Sequence, residues 1–327
     1  MQKAILFIVL LLVISCAEEE KEYQLLQGNA FGTTFNIKYD DVQKRDFTKQ
    51  IDSLVYIVNK SLSTYMVNAD ISKINRGDST VVIDDLFKEV FEKSYRIFKE
   101  TNGFFDPTVG TLVNAWGFGP EDAIDDLDEA KIDSLMQFVG FEKVKLIDGK
   151  IKKEHLEIYF DFNALAKGYG IDVIGRFLES KNCKNYLIEL GGEIRARGVN
   201  KKGNFWKVAI ENPNTNGTRS YEKVVELKNQ SMATSGNYRK FKITVDGRKF
   251  VHTINPHTGY ATESDLLSAT VIANIDCADV DGYATAFMAM GLEKTKIFLK
   301  NNQHLEVFLI FTDDKGAYKY FMSDNFK

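Results

Sequence analysis

Of 327 residues, 42 are Lys or Arg and 46 are Asp or Glu, a formal net charge of −4. A mildly acidic chain has no general electrostatic attraction to nucleic acid, so no nucleic-acid partner is expected. The 44% hydrophobic content suffices for a sizeable core, and the length permits one large domain or two small ones.

At the N-terminus, Lys3 precedes an apolar run from Ala4 to Ile14, too short to read as a membrane span. The run ends in VISC, and Cys16 is followed at once by AEEEKE. That pattern resembles a bacterial lipoprotein signal, in which residues 1–15 are removed and Cys16 becomes the acylated N-terminus. The mature protein is then expected to be exported and lipid-anchored on the periplasmic side, at the inner or the outer membrane. Residues 16–27 read as an acidic tether and residues 28–327 as one folded domain. The alternative is an uncleaved N-terminal anchor with an incidental cysteine.

Next, GTTFNIKYD alternates as a strand does. Residues 47–61 carry apolar residues at helical spacing (Ile51, Leu54, Val55, Val58), and residues 87–99 repeat the pattern (Val90, Phe91, Tyr95, Phe98). Between them, LSTYMVNADISKINRG is polar and turn-rich, a loop with a short helix. Asp106-Pro107 opens an expected helix, DPTVGTLVNAWGFG, with Pro in the first turn, where no N–H is needed. Residues 129–138 read as helix, and VKLID, GKIKKE and LEIYFDF as strands. A long helix from Ala164 to Leu178 leads into strands at NYLIEL, EIRARG, FWKVAI, YEKVVEL, YRKFKITVDG and RKFVHTI. LLSATVIA is a further strand feeding an apolar helix over residues 278–291. Another helix and two strands, HLEVFLIF and AYKYFM, close the chain. The expected class is α+β, mostly antiparallel sheet with inserted helices. The absence of GxGxxG and GxxxxGK[ST] loops argues against a doubly wound dinucleotide fold or a P-loop. Cys183 and Cys277 read as buried free thiols, and the four histidines (His155, His252, His257, His304) show no zinc-ligand spacing.

Residues able to do chemistry gather where a strand hands over to the next element. In FDFNALAKGYG a helix begins soon after Asp161 and carries Lys167. A helix N-terminus with a nearby cation suits an anionic ligand. The alternative is a solvated lysine, with Asp161 or Asn163 as the helix cap. In ELGGEIRARG, Gly191-Gly192 permits close approach to a ligand, or simply forms a hairpin turn. In SMATSGNYRKF, Thr234, Ser235, Gly236 and Asn237 interrupt strand-like sequence, as part of a site or simply as an ordinary turn. His252 ends a strand ahead of turns at Asn255-Pro256 and Thr258-Gly259. The sharpest pair is Asp281 and Thr285, one turn apart on one helical face. Two hard oxygens so placed suit Mg²⁺, completed by waters and phosphate oxygens. The alternative is that Thr285 bonds back to the Asp281 carbonyl while Asp281 pairs with a surface cation.

Eight stretches taken together, GTTFNIKY, LSTYMVNADISKIN, FFDPTVGTLVNAWGFG, DFNALAKGYGID, LIELGGEIRARG, MATSGNYRKF, HTINPHTGY and ADVDGYATAFMAMG, run in this order over residues 32–291. The series resembles the FAD:protein FMN transferases, the ApbE-like flavin transferases. The resemblance implies a T-fold-like α+β transferase domain. It also implies Mg²⁺-dependent transfer of the FMN half of FAD, the substrate, to a Thr or Ser hydroxyl of a target protein, with a phosphoester formed and AMP released. Asp281 and Thr285 match metal-binding positions, with the backbone carbonyl of Ala164 as a third ligand. Asp281 and Lys167 are the implied catalytic residues. Lys167, His252, Asp161, Asp106, Phe105 and Tyr65 match positions that contact FAD. Phe31, just before GTT, stands where relatives often carry Met, and its ring is expected to stack on the flavin. Asn255 stands where relatives usually carry Asp and is given no role. The implied partners are FAD, acceptor proteins with a surface Thr/Ser flavinylation motif, and a membrane through the lipid anchor. An acceptor motif is incomplete in this chain, since DGYATA has Ala284 where a hydroxyl is needed, so modification is expected in trans. Two alternatives are an FAD pyrophosphatase, with water replacing the acceptor hydroxyl, and a flavin-binding lipoprotein without catalysis.

Overall fold

The computed structural model describes residues 22–213, 220–237, 241–243, 249–261, 265–313 and 315–326. The expected signal at residues 1–15 and Cys16 lie outside the described residues. The chain enters through a hairpin of β1 (Tyr23–Ala30) and β2 (Thr33–Asp40), paired residue for residue. Tyr23 to Gln27, expected in the tether, therefore belong to the sheet. Leu26 packs on the main core, and the Tyr23 ring meets Trp206 edge-on at 5.6 Å. The hairpin turns on Phe31 and Gly32, both at positive φ (50° and 76°), the two-residue geometry that matches strand twist.

Helices α1 (Thr48–Leu62), α2 (Asp70–Asn75) and α3 (Asp85–Glu100) follow, with Ile51 and Val58 of α1 and Val90 and Phe91 of α3 facing inward as expected, joined by Phe87 and Ile97, whereas Tyr95 of the expected stripe is exposed. Asp84 caps α3, accepting the Phe87 N–H at 2.8 Å. α4 spans only Gly110–Ala115, not the whole of DPTVGTLVNAWGFG. The reason is Asp106, whose Oδ1 accepts both the Thr108 N–H (2.8 Å) and its hydroxyl (2.6 Å), holding Pro107 in a turn outside the helix. After α5 (Glu129–Met136), β3 (Val144–Ile147) and β4 (Lys150–Lys153) form a small hairpin. LEIYFDF is not a strand. The side chain of Asn75 takes both the N–H and the carbonyl of Phe160, at 2.8 and 2.9 Å, and Tyr159 makes only an isolated bridge to Val109.

The second half comprises α6 (Asn163–Ser180), β5 (Tyr186–Leu190), β6 (Glu193–Arg197), β7 (Trp206–Glu211), β8 (Tyr221–Leu227), β9 (Ser231–Gly236), β10 (Phe241–Ile243), β11 (Lys249–Val251), β12 (Leu266–Ala273), α7 (Cys277–Lys300), β13 (Glu306–Thr312) and β14 (Tyr318–Met322). Thr234, Ser235 and Gly236, expected to interrupt strand-like sequence, continue β9 instead and pair with Thr270, Ala269 and Ser268 of β12. Cys183 and Cys277 are buried free thiols.

One antiparallel sheet of eight strands, ordered β1-β2-β5-β6-β9-β12-β13-β14, organises the chain. Alternation along its central strands divides the core in two. Ala233, Val271, Val307 and Leu309 join the cluster beneath the helices, while Met232, Ile272, Phe308 and Ile310 face the β7–β8 hairpin with Trp206 and Leu227. The α+β class with mostly antiparallel sheet is the one expected. α7 is not continuous: Gly291 has φ 74° and ψ 179°, and Asp265 accepts the N–H of Leu292 just beyond it at 3.1 Å. Among the described residues no helix is long and apolar enough to cross a membrane.

Candidate active site

A cleft of about 1090 Å³ opens where the tips of the β1–β2 and β5–β6 hairpins meet the N-terminal ends of α6 and α7. This is at the upper end of what small-molecule sites need and suits a dinucleotide. Phe31, Tyr65, Phe105, Asp106, Asp161 and His252 all line it, as do Ala164, Lys167, Asp281 and Thr285. Every site residue expected within the folded domain is thus brought to one place.

The floor is the crossing of α6 and α7. Gly168 permits it: a Cβ there would lie 2.5 Å from the Cys277 carbonyl oxygen and 2.7 Å from the Ala278 nitrogen. The two helices hold each other reciprocally. Buried Asp172 of α6 accepts the Cys277 and Ala278 N–H groups at 2.8 and 2.9 Å, tying down the first turn of α7. In return, Asp281 of α7 accepts the Gly168 N–H at 3.2 Å. Helical geometry points that same N–H at the carbonyl of Ala164, so the Ala164 and Asp281 oxygens converge on one amide. Lys167 Nζ lies 3.6 Å from Asp281 and 3.1 Å from Glu193, at the start of β6. One turn along α7 the Thr285 hydroxyl meets the Ser235 hydroxyl of β9 at 3.2 Å, and does so across the cleft wall. Lys167 is therefore not a solvated surface lysine. Glu193 was not singled out from sequence, although it sits in a motif that was.

The remaining residues shape the walls. Asp106 is buried, with Oδ2 accepting the Phe141 N–H at 3.2 Å and Oδ1 held by Thr108, so its carboxylate secures the loop that carries Phe105. Asp161 accepts the Asn163 N–H at 2.8 Å, ahead of the first turn of α6. Tyr65 stands exposed at the mouth, close enough for the Asp161 charge to act on its phenol, which burial and that charge push up. Phe31 holds its left-handed backbone with its ring lying over Gly170, where an added Cβ would come within 2.4 Å of the ring. A bulky residue at positive φ is strained, and such strain persists where the surroundings fix it. His252 follows β11, and its neighbour Thr253 donates to Asn237 at 2.9 Å, linking that loop to the end of β9. Asn255 serves its own turn, accepting the His257 N–H at 3.0 Å.

Burial makes this floor electrostatically uneven. Asp281 is pushed up to about 7 by burial, against the pull of Lys167 and with the help of Glu193. Burial also lifts Asp106 and Asp172 to about 6 each, Asp172 with the added charge of Asp276. Asp276 goes the other way: against the burial that would raise it, Lys93, Arg195 and Arg176 hold it well below the usual carboxylate range. A carboxyl with a folded value above its unfolded one binds more protons when folded. The stability it lends at low pH is lost as pH rises through the folded value. Asp276, Glu89 and Glu179, held below their unfolded values, work the opposite way, but their effect is complete by about pH 5.5. The unfolding midpoint of metal-free protein is therefore expected to fall as pH rises from roughly 5.5 to roughly 7. A midpoint that climbs steadily over that range would contradict the burial of these three carboxyls.

The same architecture is found in solved structures. The flavin transferase ApbE from Vibrio cholerae matches with a TM-score of 0.84 and 34% identity, covering 94% of this chain and 98% of that one. The flavinyl transferase ApbE of Pseudomonas stutzeri, in its apo form, gives 0.81 and 26%, covering 93% and 95%. The fold is thus that of the flavin-transferase class. The ApbE family model matches residues 31–309, and the FAD:protein FMN transferase of Haemophilus influenzae is 35% identical over 326 residues, 95% of this chain and 93% of the relative. The chain belongs to the ApbE family.

Proposed function

We propose that this chain transfers the FMN half of FAD to a Thr or Ser hydroxyl of an acceptor protein, with Mg²⁺ bound at the crossing of α6 and α7. The observation that carries the reading is the meeting of Lys167, Asp281, Thr285 and the Ala164 amide plane at the floor of one dinucleotide-sized cleft, in a chain of this family. In the reaction the hydroxyl oxygen bonds to the phosphorus of the FMN half and loses its proton. The P–O bond to AMP breaks, and AMP leaves with the electron pair.

The oxygen groups that Asp281, Thr285 and Ala164 bring to the cleft are a carboxylate, a hydroxyl and a carbonyl, the all-oxygen set that a hard cation takes. Asp281, Thr285 and the Ala164 carbonyl would hold Mg²⁺, which supplies charge neutralisation at the diphosphate when bound. Lys167 presents an ammonium kept protonated, against its burial, by Asp281 and Glu193, and directs it at the diphosphate oxygens. Phe31 and Tyr65 both line the cleft and offer aromatic rings to the planar rings of the dinucleotide. The VISC-AEEE pattern supports export and a lipid anchor at Cys16, which would set the enzyme on the periplasmic side with its acceptors.

Incubation with FAD, Mg²⁺ and a candidate acceptor tests the reading by intact mass. The acceptor should gain FMN less water, with AMP in equal amount, and this chain itself should gain nothing. Release of AMP and free FMN with no gain on any acceptor would make the protein a hydrolase. The same spectra of membrane-extracted protein should show a chain that begins at an acylated Cys16. A second measurement isolates Lys167. Lys167→Ala should weaken FAD binding by about 1.5–3 kcal/mol, the worth of a hydrogen bond to a charged group, and riboflavin binding far less. Equal losses for both ligands would remove Lys167 from the diphosphate.

A further inference from the structure

We infer that Glu193 is a positioning residue that keeps the Lys167 ammonium off Asp281, so that Asp281 stays available to a divalent cation. The inference rests on the metal reading above and concerns a residue that reading does not use. Lys167 Nζ stands 3.1 Å from Glu193 and 3.6 Å from Asp281, so the ammonium sits between the two carboxylates and nearer to Glu193. Both carboxylates are almost fully buried, their side chains 5% and 4% exposed, so neither can turn to solvent in place of the lysine.

Glu193 is placed by its strand. It is the first residue of β6, just after Gly192 at φ 108°. Alternation puts Glu193, Arg195 and Arg197 on one face, and each meets a partner on α6: Lys167, Asp172 and Glu179. Glu193 thus opens a row of three ion pairs that fixes α6 against the sheet. Its other oxygen, Oε2, is buried and has no hydrogen-bond partner among the described residues. Buried polar atoms are nearly always paired, and an orphan lone pair is costly. A carboxylate kept there despite that cost is explained by its charge. Without Glu193 the ammonium has a single anionic partner and closes on Asp281, competing with the metal for it.

The test is isothermal titration of Mg²⁺ into the intact protein without FAD. Glu193→Gln should weaken Mg²⁺ binding by about 10- to 100-fold, the usual effect of losing a residue that orients a ligand. Lys167→Met, which keeps the stem and removes the ammonium, should bind Mg²⁺ at least as tightly as wild type. In the Lys167→Met background, Glu193→Gln should change affinity by less than about twofold, within the scatter of independent sites. Wild-type affinity in Glu193→Gln overturns the inference, and so does a loss that persists in full when Lys167 is Met. Weaker binding in Lys167→Met overturns it too, and that arm decides even if Glu193→Gln fails to fold. Asp281→Ala separates the two levels: if it binds Mg²⁺ like wild type, the metal reading itself fails. If it alone loses binding and the other variants match wild type, only the role of Glu193 falls.

Discussion

Asp281→Ala is expected to lower FMN transfer by on the order of 10²–10³-fold, the range for removing one preorganised electrostatic group, while the chain stays folded. The two halves of this expectation have separate physical origins. Transfer needs charge compensation at a diphosphate, and Asp281 is the carboxylate around which Lys167, the Gly168 amide and Thr285 are arranged. Folding does not need its charge, since burial already disfavours the ionised form and pushes the carboxyl up to about 7. Lys167 also keeps Glu193 as a partner in the variant. Acceptor flavinylation by mass and the unfolding midpoint at neutral pH together check this. Wild-type transfer in limiting Mg²⁺ would remove Asp281 from the metal site.

A change that carries no charge should do comparable damage. Gly168→Ala sets a methyl group 2.5 Å from the Cys277 carbonyl oxygen and 2.6 Å from its carbon, both backbone atoms that no rotamer can move aside. The helices must part, which should cost about 1–3 kcal/mol as overpacking does, where Gly to Ala in an open helix would gain stability. Parting them also draws Lys167 and the Gly168 amide away from Asp281, so the Mg²⁺ requirement should rise and transfer fall sharply. Gly282→Ala is the matched comparison. There the nearest atom is the tip of the Ile97 side chain at 2.8 Å, which can rotate away, and the loss should be smaller. Equal thermal midpoints and equal Mg²⁺ titrations for wild type and Gly168→Ala would show that the crossing does not set the site.

Much of this was legible in the sequence where a local rule decides. α1 and α3 follow from apolar spacing, and Asp281 and Thr285 share a face because four residues make about one turn. The reach of Gly168 to Asp281 spans 113 residues and has no periodicity to announce it. LEIYFDF has the composition of a strand, yet the Asn75 side chain captures Phe160 and leaves no partner strand for it. MATSG has the composition of a turn, yet its small side chains fit between β12 and α7. Glu193, Arg195 and Arg197 alternate as a solvent-facing edge would. That face is instead covered by α6, and nothing within β6 says so.

The interruption of α7 at Gly291 has a consequence for how the enzyme can vary. A continuous helix would act as a stiff lever, so any tilt of the stretch from Leu292 to Lys300 would be felt at Asp281. The non-helical, positive-φ backbone at Gly291 is a joint in that lever, and Asp265 gives the outer arm an anchorage of its own. The inner arm is gripped by α6 through Asp172 and Gly168. Substitutions, insertions or a docking protein at the outer arm can therefore accumulate as surface drift without detuning the chemistry. A related chain could remodel this corner for a different neighbour and keep the same floor.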